Sequence, residues 1–240
     1  ISWRLAPAEV AFQLDDAEPG LFLVEDEHRA LADAALALAA VPPRVERLSL
    51  TPLREASEMC LTRPCPPTAL KSDVFPAQPA SVSETSLRPT VPGADDPLLL
   101  IYTSGTTGKP KGALLTHANC FWTNLSFDLA TGVGGDDVVL AFLPQFHCGG
   151  WNVQPLLGWW KGARVVLERQ FDPARSLRLI EEKRVTTMMG VPANYLFMAQ
   201  QPAFAEADLS SLRLAVVGGA PMPVPLLEQW RERGIEIVQG

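Results

Sequence analysis

The four cysteines, Cys60, Cys65, Cys120 and Cys148, form no C-x-x-C pair, and the three histidines lie far apart. No zinc-ligand spacing is therefore present. Free thiols in a reducing cytosol are expected, and with them a cytoplasmic setting. A basic excess is also missing: the formal net charge is −7 and no basic stripe stands out. That excludes a nucleic-acid binder, but not a small anionic ligand held by local backbone donors. No apolar run reaches the ~18 residues of a membrane helix. No signal peptide pattern and no internal repeat occur. An initiator methionine is absent too: the chain opens at Ile1 within structured-looking sequence and stops at Gly240, just after a strand-like Ile235–Val238. The parent protein is expected to continue on both sides.

What is present is the composition of an ordinary globular protein: 240 residues, 47% hydrophobic and 20% charged. That length can bury a core of useful size. Residues 1–47 read as helix, strand, helix: Pro7 in a first helical turn followed by Ala8–Ala17, a break at Pro19–Gly20, a strand Leu21–Val24, and an Ala/Leu-rich helix His28–Ala40. The stretch from Pro42 to Pro97 holds 11 of the 22 prolines, a density no long regular element survives. Residues 48–97 are therefore read as a meandering Pro-rich connection.

From residue 98 onward strands and helices alternate. Strands are expected at Leu98–Tyr102, Ala113–Leu115, Val138–Leu143, Ala163–Leu167, Thr187–Val191, Leu212–Val217 and Ile235–Val238. Helices are expected over His117–Ala130 (Thr116 as N-cap), within Gly150–Trp160, from Asp172–Pro173 to Lys183, over Ala193–Gln200, and over Pro223–Arg233 closed by Gly234. This alternation predicts an α/β fold with largely parallel β-sheets flanked by helices. Ligands in such folds sit at the carboxyl ends of the strands.

The run Tyr102-Thr103-Ser104-Gly105-Thr106-Thr107-Gly108-Lys109-Pro110-Lys111-Gly112 carries the strongest chemical signal. Its glycines let the backbone turn tightly and bring N–H groups close to a ligand. Its hydroxyls add donors and candidate magnesium contacts, and Lys109 and Lys111 add positive charge. A polyphosphate needs that combination. It is not a Walker loop: only two residues separate Gly105 from Gly108, Pro110 follows Lys109, and a strand rather than a helix comes next. A hairpin-like loop is the expected geometry.

That ordered run resembles the signature loop of the AMP-forming adenylating superfamily, which includes acyl-CoA synthetases, 4-coumarate–CoA ligase, luciferase and peptide-synthetase adenylation domains. Further stretches are similar. Leu143-Pro144-Gln145-Phe146-His147-Cys148-Gly149-Gly150 looks like the second motif of the family, whose aromatic–histidine pair borders the acyl pocket. Gly218-Gly219-Ala220-Pro221-Met222-Pro223 looks like the stretch lying between adenine and acyl group, Gln239–Gly240 like the start of the adenine motif, and Val191-Pro192-Ala193 like a strand end near the acyl tunnel. The resemblance spans nearly the whole chain and is specific from Leu98 to Gly240. It implies that the chain is an incomplete N-terminal AMP-binding domain, with residues 98–240 as the ATP- and acyl-binding core and the C-terminal domain absent.

The resemblance implies a two-step reaction using ATP, magnesium and CoA. A carboxylate attacks the α-phosphorus of ATP, and a thiol then displaces AMP. Its site would comprise Thr103, Ser104, Gly105, Thr106, Thr107, Gly108, Lys109, Gly218, Gly219, Ala220, Pro221, Gln239 and Gly240 toward the nucleotide. Thr103 and Thr106 would also face magnesium. His147, Cys148, Gly149, Trp151, Val191 and Gly219 would border the acid, and His147 and Lys111 are the catalytic candidates. Two readings stay open for Lys109 and Lys111, phosphate partners or solvated charges, and for Trp151, Trp159 and Trp160, pocket lining or core. His28 and His117 are read as structural. Amino-acid activators in the family carry an Asp where His147 stands, and Gln145–Trp151 contains no acid. A fatty or aromatic acid is therefore favoured. The adenine-stacking aromatic, a Thr-Glu pair, a ribose-binding acid and a terminal lysine are absent, so the fragment alone is expected not to turn over. The alternatives are an adenylating subunit that loads a carrier protein and a non-catalytic, truncated nucleotide-binding relative.

Overall fold

The computed structural model describes residues 1–48, 91–103 and 109–240. Most of the Pro-rich connection and the loop residues Ser104, Gly105, Thr106, Thr107 and Gly108 lie outside the described residues. Two compact units divide the described residues, one holding residues 1–48, 91–92 and 109–110 and the other residues 93–103 and 111–240.

In the first unit, α1 (Pro7–Ala17) starts where Pro7 fits a first turn and the Glu9 carboxylate accepts the Ala6 N–H at 2.8 Å. Strand β1 (Leu21–Glu25) follows, then a 3-10 turn (Asp26–His28), α2 (Arg29–Leu36) and β2 (Arg44–Leu48). The two strands pair in parallel, Leu21 opposite Arg44 through Glu25 opposite Leu48, with α2 as the crossover. Val10, Leu14 and Ala35 form the core beneath Phe22 and Leu31. Two expectations need correction. Helix α2 stops at Leu36 rather than Ala40, because Asp15 Oδ1 captures the N–H groups of Ala40 (2.7 Å) and Val41 (3.1 Å) and Pro42 keeps Val41 out of the helical region. Strand β2 was not expected at all, since its Arg-Val-Glu-Arg-Leu run carries too little apolar pattern.

The second unit opens with an antiparallel hairpin, β3 (Pro97–Thr103) and β4 (Lys111–Thr116), in which Leu100 faces Leu114 and Thr103 faces Lys111. The expected hairpin geometry is thus present, in a two-stranded sheet of its own. Helix α3 (His117–Thr131) begins with a reciprocal cap: Thr116 Oγ1 accepts the Asn119 N–H at 3.2 Å and Asn119 Oδ1 accepts the Thr116 N–H at 3.0 Å.

The remaining strands are β5 (Val138–Ala141), β6 (Arg164–Leu167), β7 (Thr187–Gly190), β8 (Leu214–Val217) and β9 (Ile237–Gln239). They form one all-parallel sheet in the order β6-β5-β7-β8-β9. The crossovers are α4 (Gln154–Lys161), α5 (Pro173–Lys183), α6 (Pro192–Ala199) and α7 (Val224–Glu232). A parallel sheet must be covered on both faces, and β5 and β8 are accordingly buried at every residue. On one face Val138, Leu140, Met188, Ala215 and Val217 pack against Leu177 and Ile180 of α5, Tyr195 and Met198 of α6, and Leu226 and Trp230 of α7. On the other, Leu214 and Val216 pack with Leu157 of α4, Val133, and Phe127 of α3.

A polar clip holds the entry end of the sheet. Asp137, just before β5, accepts hydrogen bonds from Thr186 Oγ1 (2.6 Å), Arg213 Nε (2.9 Å) and Gly134 N–H (2.8 Å), and pairs with Arg213 Nη2. Those partners precede β7 and β8, so one carboxylate ties three strand starts together. The opposite end of the sheet is left to the loops.

Candidate functional site

Strand order singles out one place on that exit edge. From β5 the chain turns outward to β6 through α4, then crosses back over β5 to reach β7 through α5. The loops that leave β5 and β7 therefore diverge, which marks the switch point where parallel α/β sheets take their ligands.

The loop after β5 is closed on itself by hydrogen bonds. His147 N–H donates to Pro144 O (3.1 Å), and Gly150 N–H donates to His147 O (3.0 Å). Gly150 is obligatory here, because a Cβ would lie 2.1 Å from Pro144 O. Gly149 N–H donates to Nδ1 of His147 at 3.1 Å. Nδ1 is thereby an acceptor, so the neutral ring carries its proton on Nε2. The imidazole and the Cys148 thiol, whose Sγ lies 3.7 Å from Nδ1, are both exposed. The Gln145 amide reaches across the loop, donating to Gly150 O (2.6 Å) and Leu143 O (3.3 Å).

Residues Gly149–Val153 then make a π-helical turn before α4. Such turns are rare and gather at functional sites. Among the described residues, buried side-chain atoms without a hydrogen-bond partner include Gln145 Oε1, Trp151 Nε1, Asn152 Oδ1 and Gln154 Oε1, all on or beside this turn. Gln154 Nε2 donates to Thr187 Oγ1 (2.7 Å), which ties the turn to β7. Gln145, Asn152 and Gln154 were missed by sequence reasoning; long amides flanking a Gly-Gly pair in an otherwise apolar run were the available signal.

A second cluster forms where β7, β8 and β9 end. Gly218 N–H donates to Gly190 O (3.1 Å), Gly240 N–H to Val217 O (2.9 Å) and Met222 N–H to Gln239 Oε1 (2.9 Å). A Cβ on Gly218 would stand 3.0 Å from Met189 Cε, and Gly219 adopts φ +79°, which glycine reaches without strain. The side chain of Val191 lies beside Gly219, 3.4 Å from where a Cβ would sit. The structure thus brings Val191, Gly218, Gly219, Gln239 and Gly240 together, with Ala220 and Pro221 exposed on the turn above.

At the mouth of the hairpin, Thr103 Oγ1 lies 3.5 Å from Lys111 O, and both residues are exposed, as is Lys109. A Cβ on Gly112 would meet Leu100 Cδ1 at 2.9 Å, the free end of an exposed side chain that can turn aside. The three tryptophans do not gather around one pocket. Trp151 meets Trp159 edge-on at 5.3 Å, while Trp160 packs against Phe121 of α3 at 5.6 Å and is half exposed. Among the described residues, the one group of side chains able to hold a metal by themselves is Glu25, Glu27 and His28 in the first unit. No helix among them is long and apolar enough to cross a membrane.

A parallel α/β sheet with an aromatic–histidine loop leaving β5 and a glycine turn leaving β8 has the arrangement of a ligand-binding α/β domain. Residues 1–240 match the AMP-binding enzyme family over the whole chain, and the protein belongs to it. It is 43% identical to a feruloyl-CoA synthase of an Amycolatopsis species over 148 residues, 62% of this chain and 30% of that protein. It is 36% identical to an indoleacetate–CoA ligase of Aromatoleum aromaticum, covering 100% of this chain and 43% of that one. The crystal structure of the N-terminal domain of FACL13 from Mycobacterium tuberculosis superposes with a TM-score of 0.77 at 32% identity, covering 100% of this chain and 55% of that chain. The chain thus spans less than half the length of these two curated relatives.

Proposed function

We propose that this chain supplies the ATP- and acid-binding part of a ligase that activates a fatty or aromatic carboxylic acid as its acyl-adenylate and hands the acyl group to CoA. One observation carries the reading: the His147 loop and the Val191–Gly218–Gly219–Gln239 cluster end neighbouring strands on the same sheet edge, so an acid and a nucleotide bound there would meet. The two curated relatives named above are a feruloyl-CoA synthase and an indoleacetate–CoA ligase, which supports that chemistry.

Each residue type suits a task in that reaction. His147, held with Nε2–H outward, donates a hydrogen bond to a carboxylate oxygen and aims the other oxygen at phosphorus. The bare backbone at exposed Gly219 lets a flat adenine or aryl group approach closely, while a side chain at buried Gly218 would press on Met189 and disturb the turn beneath it. Thr103, Lys109 and Lys111, with the hydroxyls of Ser104, Thr106 and Thr107 and the N–H groups of Gly105 and Gly108, compensate charge that grows on the phosphates as the bond to the α-phosphorus forms. Holding carboxylate and α-phosphate together supplies the orientational part of the rate. ATP supplies the phosphoryl group and the leaving pyrophosphate. A magnesium ion bound with ATP would be held mainly by phosphates and water, with few protein oxygens. The hydroxyls of Thr103 and Thr106 suit that limited role.

The absence of any acidic residue in Gln145–Trp151 favours an acid without an amino group. A panel of carboxylic acids, scored by pyrophosphate release from the full-length polypeptide, tests the assignment. Fatty or aryl acids should be active and α-amino acids inert, and CoA should outcompete a phosphopantetheinyl carrier in the second step. Release with amino acids alone would overturn the reading.

A further inference from the structure

The loop that presents His147 has a staple that no phosphate or acid contact requires. Gln145 is part-buried, and both groups facing its amide nitrogen are carbonyls, Gly150 O at 2.6 Å and Leu143 O at 3.3 Å. The NH2 must therefore be the end that faces them. Leu143 is where the loop leaves β5 and Gly150 is where it enters the π-helical turn, so one side chain spans both ends of the segment carrying His147. The imidazole is fixed by a backbone donor inside that same segment, Gly149 N–H to Nδ1 at 3.1 Å. Any change in the Gly149–Gly150 backbone moves that donor. The remaining atom, Gln145 Oε1, is buried and has no partner. A residue kept only for stability is a poor match to that arrangement, because a buried acceptor left unpaired destabilises. A methionine of the same length would fill the space without it.

We propose that Gln145 is a positioning residue for His147: by joining the two ends of the loop it sets where the Gly149 N–H sits, and so which imidazole nitrogen carries the proton and faces the acid. This rests on the acid-activation reading above. Gln145 touches neither acid nor nucleotide in this account; it acts through the imidazole.

The test uses the full-length polypeptide and the variants Gln145→Met, His147→Ala and the double variant, with acid-dependent pyrophosphate release and thermal unfolding as readouts. Gln145→Met should lower kcat/KM for the acid on the order of 10- to 100-fold, while KM for ATP stays within about twofold. Its Tm should fall by no more than a few degrees, because relief of the unpaired Oε1 offsets part of the two hydrogen bonds lost. In the His147→Ala background Gln145→Met should add no further loss, as expected of two residues acting as a unit. Wild-type kcat/KM in Gln145→Met, a full additional loss in the His147→Ala background, or an equal rise in both KM values would each overturn the proposal. If Gln145→Met folds poorly, ring nitrogen NMR of the wild-type protein decides instead: the proton must reside on Nε2 of His147, and a ring protonated on Nδ1 overturns it. A wild-type protein that activates no acid in the panel would sink the underlying reading, an outcome distinct from an active wild type that is indifferent to Gln145.

Discussion

Gly150 shows how much of a site can depend on one missing methyl group. Its position is closed on one side by the carbonyl of Pro144, and a Cβ there would lie at 2.1 Å, inside any tolerable contact. Gly150→Ala should therefore force the loop open, break the His147 O hydrogen bond and cost about 1–3 kcal/mol. Urea unfolding would measure it, and a wild-type midpoint would refute the crowding. A second residue-scale prediction concerns Tyr195 of α6, fully buried against the sheet with its hydroxyl donating to Val216 O at 2.7 Å. Burial drives its phenol above the ordinary tyrosine range, despite that hydrogen bond. Tyr195→Phe should lose about 1 kcal/mol, with the larger apolar contribution retained against Trp230.

Elements were legible where local chemistry decided them and illegible where distant residues did. Asp172 accepts the Arg175 N–H at 2.8 Å as the N-cap of α5, as its position before Pro173 announced. Asp172→Ala should cost about 1 kcal/mol, read as a lower Tm with an unchanged far-UV spectrum. Helix α2 was read four residues too long because its end is set by Asp15, far away in sequence, and β2 was missed because its partner β1 supplies the order that its own pattern lacks. The π-helical turn at Gly149–Val153 is of the same kind: Gln154, the residue that follows it, bonds across to Thr187 of β7. The candidate residues themselves were legible as types, glycines, hydroxyls and a histidine after strand ends. The hydrogen bonds that bring Val191, Gly218 and Gln239 to one edge were not, since they cross strand boundaries.

The Asp137 clip gives a pH dependence that can be worked through at this scale. Burial alone would raise its pKa, but the hydrogen bonds from Arg213, Thr186 and Gly134 and the charge of Arg213 outweigh it, and the net shift is downward from 3.8. A depressed folded-state pKa means that the folded protein binds fewer protons than the unfolded chain near that value, so stability rises with pH there. The contribution is complete above the unfolded value and is lost as pH falls through the folded one. Asp137→Asn should therefore lower Tm at neutral pH, and its gap to wild type should narrow as pH falls below about 4. A gap constant across that range would mean that the clip contributes no charge-dependent stability.

For the whole molecule, the parallel sheet was legible from strand–helix alternation. Its order was not, because nothing periodic in the chain says that the connection from β6 crosses β5 to reach β7. That crossing places the switch point, and with it the function proposed here. Charge adds a further constraint. At −7 overall, the chain as a whole repels a polyphosphate. Attraction must come from short-range donors, and the run Thr103–Lys111 concentrates hydroxyls, glycine N–H groups and two lysines with no acidic residue among them. Replacing both Thr106 and Lys111 by alanine removes a donor and a cation from that run without touching the sheet edge that would hold the acid. In the full-length polypeptide the double substitution should cut acid-dependent ATP–pyrophosphate exchange by about 2–4 kcal/mol of transition-state stabilisation, the magnitude seen when donors to a developing oxyanion are deleted. Binding of the acid, followed by calorimetry, should stay close to wild type. Exchange at the wild-type rate would show that the hairpin does not grip the phosphates, and the nucleotide would then have to be held by some other part of the fold.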